Sequence, residues 1–135
     1  MLDTNILVAG LRNRTGASFQ IIDWIVQGKI TPVVTVPMVL EYEEVLKRPG
    51  IVPNLSARDV DTFLDYFVSK SEGHRVHYLW RPFLPDPDDD MLVEAALTSR
   101  ANLIVTGNLG DLRPAATLGI QVMTAGEFAR MLRSR

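Results

Sequence analysis

The stretch Leu103-Ile104-Val105-Thr106-Gly107-Asn108 combines a short apolar run with a polar turn, which predicts a buried strand that ends at Thr106. A second apolar run at Ile120–Met123 predicts another strand, and Ala125–Leu132 has the periodicity of a closing helix. Further upstream, segments of strand type and of helix type alternate. This alternation is typical of an α/β fold whose mostly parallel sheet is covered by helices on both faces.

The rest of the chain supplies the other elements of this pattern. We predict strands at Leu2–Val8, Ile30–Val36 and His74–Leu79. We predict helices at Ala17–Gln27, Pro37–Lys47, Ala57–Ser71 and Asp88–Arg100, with Gly28 ending the first and Ser56 as the N-cap of the third. No repeat and no linker interrupts the pattern, so residues 1–135 are expected to form a single domain.

The composition excludes several classes of protein. The chain has no cysteine, so disulfides and thiolate zinc sites are excluded. His74 and His77 have no third ligand nearby in sequence, which favours strand residues over a chelating pair. No run approaches the roughly 18 to 20 apolar residues of a membrane span, and no signal peptide is apparent, so we expect a cytoplasmic protein with no membrane partner. A net charge of −2, from 16 acids and 14 bases, argues against tight duplex binding but not against transient processing of nucleic acid.

Four short polar segments follow predicted strands or lie on the helix just after one. They are Asp3-Thr4-Asn5, Glu41, Asp86-Pro87-Asp88-Asp89-Asp90 and Thr106-Gly107-Asn108. In an open parallel sheet, ligands bind at the edge where the strands end. A pocket of carboxylates suits hard divalent cations, and such cations promote cleavage of phosphodiesters. The pattern therefore favours a nuclease.

Each of these segments also has a purely structural interpretation. Asp3-Thr4-Asn5 could form an Asx turn, although it interrupts an apolar run in which a carboxylate needs a partner or a metal. Asp88, Asp89 and Asp90 could cap a helix, but capping does not require four acids in five residues. Asn108 follows Gly107, which is typical of an ordinary turn.

The helix that begins at Pro37 separates one acid from two others. Glu43 has Lys47 four residues later, and Glu44 has Arg48 at the same spacing, so both are expected to form surface pairs. Glu41 has no base at either helical spacing, and its helical neighbours are mostly apolar. We therefore expect Glu41, and not the other two, to face the site.

Together these segments resemble PIN-domain proteins, in particular those regarded as toxins of toxin–antitoxin systems (VapC-like ribonucleases). The resemblance rests on Asp3-Thr4-Asn5, Val39–Leu46 with Arg48-Pro49, Asp86–Asp90 with the helix to Ala96, and Ile104–Asn108, and it spans nearly the whole chain. It implies a metal-dependent ribonuclease that hydrolyses the phosphodiester bonds of single-stranded or structured RNA. The implied fold is a three-layer α/β/α sandwich with a central, mostly parallel sheet.

By position, the resemblance implies that Asp3, Glu41 and Asp89 are catalytic and bind one or two Mg²⁺ or Mn²⁺ ions. Asp89 is chosen because it lies seven residues before Ala96. Asn108 would be the fourth metal ligand, and its amide adds no charge, so a second cation would be held more weakly. The residues expected to support these ligands are Asn5, Thr106, Asp86, Asp90 and Asp111.

The expected partners are RNA and a cognate antitoxin on a separate chain. RNA would approach along basic residues that equally suit a solvated surface, namely Arg12, Arg14, Lys47, Arg48 and Arg113. A homodimer stays open, because Trp24, Trp80 and Phe83 could be either exposed or buried. One alternative function is a catalytically weak PIN-fold module that binds RNA or a partner. A phosphate-handling receiver domain is disfavoured, because no lysine follows Lys70.

Overall fold

The computed structural model describes residues 1–73, Ala96 and residues 103–134, except for the side chains of Arg113, Ala116 and Thr117. The helices are α1 (Thr4–Arg12), α2 (Ala17–Val26), α3 (Val36–Leu46), α4 (Ala57–Ser69), α5 (Leu109–Leu112) and α6 (Ala125–Arg133). A 3₁₀ helix occupies Arg113–Leu118, and the strands are β1 (Val33–Val34), β2 (Glu72–Gly73), β3 (Leu103–Val105) and β4 (Gln121–Met123). Helices with short parallel strands confirm the predicted α/β class.

The first three residues of the chain lie beside β3 and run parallel to it. The backbone N–H of Val105 donates to Met1 O at 2.8 Å, and the N–H of Asp3 donates to Val105 O at 2.9 Å. On its other side, β3 pairs in parallel with β4, so that Leu103 lies opposite Gln121. Parallel segments end at the same edge of a sheet. Asp3 and the residue after β3 therefore emerge side by side, although about 100 residues separate them in sequence.

The predicted strand at Leu2–Val8 is wrong beyond Asp3. Asp3 keeps an extended backbone, and α1 begins at the next residue. The apolar residues that follow suit either a strand or a helix by composition, but Ile6, Leu7 and Gly10 are the ones buried, which is a helical spacing. A side chain at Gly10 would collide with Ile22, so the absence of one lets α1 pack closely against α2.

The second predicted strand, Ile30–Val36, is also too long. Only Val33–Val34 pairs, in parallel with Glu72–Gly73, and α3 already begins at Val36. The Thr35 hydroxyl caps α3 by accepting from the N–H of Met38 at 3.4 Å. The predicted third strand at 74–79 and the helix at 88–100 lie outside the described residues, apart from Ala96, which is buried and helical.

Other local predictions are confirmed. Ser56 caps α4, and its hydroxyl accepts from the N–H of Asp59 at 3.1 Å in a full capping box. Gly28 has a φ of 76°, the left-handed conformation expected just after a helix end. The short elements α5 and the 3₁₀ helix were not predicted, because they are too short to show a period.

The core joins the helices to the β3 edge. Tyr42 of α3 is 1% exposed and meets Phe67 of α4 edge-to-face, with the ring centroids 5.8 Å apart. Val60 and Leu64 of α4 are buried in the same cluster, as their helical spacing predicted. Across residues 1–73 and 103–134, no helix combines the length and apolarity that a bilayer span requires.

Candidate active site

Thr106, the residue directly after β3, is fully buried. Its hydroxyl donates to Asp3 Oδ2 at 2.6 Å and accepts from the backbone N–H of Asn108 at 3.0 Å. A buried hydroxyl has to be paired to avoid a large desolvation penalty, and this one is paired as donor and as acceptor. The Asp3 carboxylate is therefore held at the carboxyl end of the parallel strands.

Asn5, in the first turn of α1, completes this arrangement. Its amide Nδ2 donates to Asp3 Oδ2 at 3.2 Å, and its Oδ1 accepts from the backbone N–H of Gly107 at 2.9 Å. A Cβ atom added at Gly107 would lie 3.4 Å from the amide carbon of Asn5, so the loop after β3 runs directly over this side chain. Below, the name Asp3 corner denotes Asp3, Asn5, Thr106 and Gly107.

Asn108 and Asp111 form a polar pair beside the Asp3 corner. The Asn108 Nδ2 donates to Asp111 Oδ2 at 2.7 Å, and the Asn108 backbone is tied to Thr106. Asp111 lies on α5, a helix that was not predicted. The structure thus brings Asn108 and Asp111 together at this edge, so a carboxylate accompanies the uncharged amide.

Glu41 is half-buried on α3, which packs against α1. The next residue, Tyr42, donates its hydroxyl to Leu2 O at 2.6 Å, one residue before Asp3. Burial, and to a lesser degree the charge of Asp3, raise the pKa of Tyr42 well above its usual value. The helix that carries Glu41 is therefore anchored to the segment that carries Asp3.

Tyr42 is a functional candidate that the sequence interpretation missed. The available signal was a tyrosine on the buried face of α3 next to Glu41, because a buried tyrosine hydroxyl needs a hydrogen-bond partner. Which partner it finds, Leu2 O, depends on a contact across 40 residues.

Asp86, Asp89 and Asp90 lie outside the described residues. Within the described ranges, no three acidic or histidine side chains come close enough together to hold a metal ion. The Asp3 corner is suited to a hard cation, because it offers a carboxylate oxygen as a metal ligand. The Thr106 hydroxyl and the Asn5 amide are neutral donors, so they orient the carboxylate without cancelling its charge.

Lys47 and Arg48, at the far end of α3, are engaged in ion pairs. Lys47 Nζ lies 2.7 Å from Asp61 Oδ1 and 3.8 Å from Glu43 Oε2, and Arg48 lies 3.0 Å from Glu44 Oε1. The pairs with Glu43 and Glu44 confirm the helical-spacing prediction, whereas the contact with Asp61 of α4 was not predicted. The hydrogen bond that Lys47 donates to Asp61 is the main cause that raises the pKa of Lys47.

Arg12 and Arg14 differ from Lys47 and Arg48 in their ion pairing. Both are exposed, at the end of α1 and in the loop after it. Neither makes an ion pair with any other residue in the part of the chain that the structure describes. The Arg113 side chain is outside the description, as are Trp80 and Phe83. Trp24 is half-buried against the core, and the Arg133 guanidinium lies 6.0 Å from its ring centroid.

Comparison with protein families identifies the class to which this geometry belongs. Residues 1–110 match the PIN domain, so the chain is a member of the PIN domain family. PIN domains are typically nucleases and generally use divalent metal ions. No curated protein and no solved structure matches the chain. The match ends before β4, yet β4 pairs with β3 and so belongs to the same sheet.

Proposed function

We propose that this protein is a metal-dependent ribonuclease and the toxin of a toxin–antitoxin pair. The observation that carries the proposal is the buried hydroxyl of Thr106, which orients the Asp3 carboxylate at the end of parallel strands in a PIN domain. Asp3, Glu41 and Asp89 would hold the cation. Asn108, with its neighbour Asp111, would occupy the position of the fourth metal ligand.

The proposed chemistry is hydrolysis of a phosphodiester bond of RNA. A bound Mg²⁺ or Mn²⁺ ion would neutralise charge on the phosphate and activate the attacking water. Mg²⁺ usually takes only one or two carboxylates from the protein and keeps several waters, so Asp3 and one further acid are sufficient. Thr106 and Asn5 keep the Asp3 carboxylate in one orientation, which spares the cost of ordering it when substrate binds.

The test is cleavage of single-stranded RNA in the presence of Mn²⁺ by the wild type and by Asp3→Asn. This substitution keeps the shape of the side chain and removes its charge. We expect the rate to fall by more than about 100-fold, since loss of a residue that merely supports a ligand already costs roughly 10 to 100-fold. Glu43→Gln is the matched control, because Glu43 is an exposed acid paired with Lys47. Undiminished cleavage by Asp3→Asn would show that the site lies elsewhere.

The toxin role has its own test, which is expression in a host cell. We expect growth arrest with the wild type and normal growth with Asp89→Ala, accompanied by cleaved RNA only in the first case. Growth arrest that survives Asp89→Ala would separate toxicity from the proposed site. The antitoxin would be a separate chain, and we propose that both act in the cytoplasm. The single domain over residues 1–135 and the homodimer stay predictions that a solution measurement of mass and limited proteolysis can check.

A second candidate function is a PIN-fold module that binds RNA or a partner with weak catalysis. The observation that favours it is the uncharged Asn108 at the position of the fourth metal ligand. The cleavage assay decides between the two. RNA that binds to the wild type and stays intact with Mn²⁺ would support the binding module.

A further inference from the structure

A groove runs along α1 directly from the Asp3 corner. It is an open depression with a volume of about 400 Å³ between α1 and the start of α2. Asn5, Ala9 and Arg12 line it on the α1 side, and Gly16 and Ser18 line it on the other. Asn5 belongs to both the groove and the Asp3 corner, because its amide donates to Asp3. The groove therefore lies next to the candidate active site.

The segment that lines the groove is basic. Between Asp3 and Asp23 the sequence contains no acid, and Arg12 and Arg14 are its only bases. Both arginines are exposed and have no ion pair with a described residue. An arginine without a protein carboxylate is available to a phosphate, which its planar guanidinium binds well.

The lining of the groove suits the backbone of one strand of nucleic acid. Its lining includes the small residues Ala9, Gly16 and Ala17, which let a backbone approach the protein closely. The eight residues from Asn5 to Arg12 span about 10 Å along the helix axis. A basic groove that tracks a backbone is typical of single-strand binding.

We infer that this groove binds the phosphate backbone of single-stranded RNA on one side of the scissile phosphate, with Arg12 contacting a phosphate. The inference rests on the proposed function, since it assigns the path of the substrate to the Asp3 corner. It also separates Arg12 from two other basic residues that were predicted to contact RNA, because Lys47 and Arg48 already have carboxylate partners.

The test measures binding of a fluorescently labelled ten-nucleotide RNA to the full chain in the presence of a chelator, so that binding is separated from cleavage. We expect Arg12→Ala to weaken binding about tenfold at low salt and to lower the slope of log K against log salt by about 0.7, the value for one phosphate contact with a single strand. Ser18→Glu places a carboxylate in the groove and should weaken binding at least as much. Arg58→Ala, an exposed arginine on α4, is the matched control and should bind as the wild type does.

Two results would overturn the inference. One is Arg12→Ala with the affinity and salt slope of the wild type, and the other is a loss no larger than that of Arg58→Ala. Arg12 is exposed, so its substitution tests the groove even if Ser18→Glu fails to fold. Cleavage with Mn²⁺ is measured separately. If the wild type cleaves RNA and Arg12→Ala binds it normally, the RNA-binding role of the groove is rejected and the nuclease function is retained. If Arg12→Ala loses binding but the wild type does not cleave RNA, the nuclease function is rejected and the RNA-binding role of the groove is retained.

Discussion

The Asp3 corner and the far end of α3 are both rich in polar and charged residues, but they are built in opposite ways. In the corner, the Thr106 hydroxyl reaches Asp3 across 103 residues and is fully buried. At the end of α3, Arg48 reaches Glu44 across four residues, and both side chains are more than half exposed. The comparison teaches that charge in the sequence identifies candidates, whereas burial and long-range pairing separate an organised site from a solvated surface.

The difference is also energetic. Leaving a buried polar group without its partner costs about 1 to 3 kcal/mol. An exposed ion pair contributes about 0 to 1 kcal/mol and is screened by salt. Substitutions in the Asp3 corner should therefore affect both stability and chemistry, and substitutions of the surface pairs should affect neither strongly.

Among the substitutions that compare these two regions, the largest effect on stability is expected for Thr106→Val, which keeps the shape and removes the hydroxyl. It leaves the Asp3 carboxylate and the Asn108 N–H without this partner. We expect about 2 kcal/mol less stability in urea unfolding and a loss of RNA cleavage of roughly 10 to 100-fold. Thr106→Ser retains the hydroxyl and should lie much closer to the wild type. If the wild type and Thr106→Val have equal unfolding free energies and equal cleavage rates, the Asp3 corner does not differ from the surface pairs in the way described.

A smaller effect is expected for Tyr42→Phe, which removes one buried hydrogen bond to Leu2 O. The free energy of unfolding should fall by about 1 kcal/mol, and more if Leu2 O stays unsatisfied. Tyr66→Phe is the control, because Tyr66 lies on the neighbouring helix and is 45% exposed. If both substitutions cost the same, the hydroxyl of Tyr42 does not anchor the Asp3 segment.

A local interaction should show itself through pH. Glu127 accepts from the backbone N–H of Thr124 at 3.0 Å in the capping box of α6, and this hydrogen bond holds the pKa of Glu127 below its usual value. A lowered pKa means that the stabilisation is present above the unfolded pKa and is lost as pH falls through the folded one. Circular dichroism should show Glu127→Gln less helical than the wild type near neutral pH, and this difference should shrink as the pH falls through the folded pKa of Glu127. A pH-independent difference would exclude the carboxylate as its cause.

The smallest effect is expected for Arg48→Ala at the end of α3. Its pair with Glu44 is an exposed contact between residues four apart. The change in unfolding free energy should be at most about 0.5 kcal/mol and should shrink in high salt. A cost above that of Tyr42→Phe would reverse the ranking of surface and corner.

The accuracy of the sequence interpretation follows the range of each interaction. The ion pairs of Glu43 and Glu44, and the cap at Ser56, were predicted correctly, because each joins residues three or four apart. The strand predicted at Leu2–Val8 was wrong beyond Asp3, because a short apolar run fits either a strand or a helix. Among the residues predicted for the site, Asp3, Asn5, Thr106 and Asn108 lie together. Their catalytic roles stay proposals.

Local sequence was enough for the α/β class, the helix caps and the surface pairs, since all of these depend on neighbours within one or two turns. The fold itself had to supply the buried state of Thr106, the contact from Tyr42 to Leu2 O and the groove that leads from Asn5 to Arg12. These features arise when the first residues of the chain close onto β3. Contacts across 40 to 103 residues depend on how the sheet is assembled, and no short stretch of sequence carries that information.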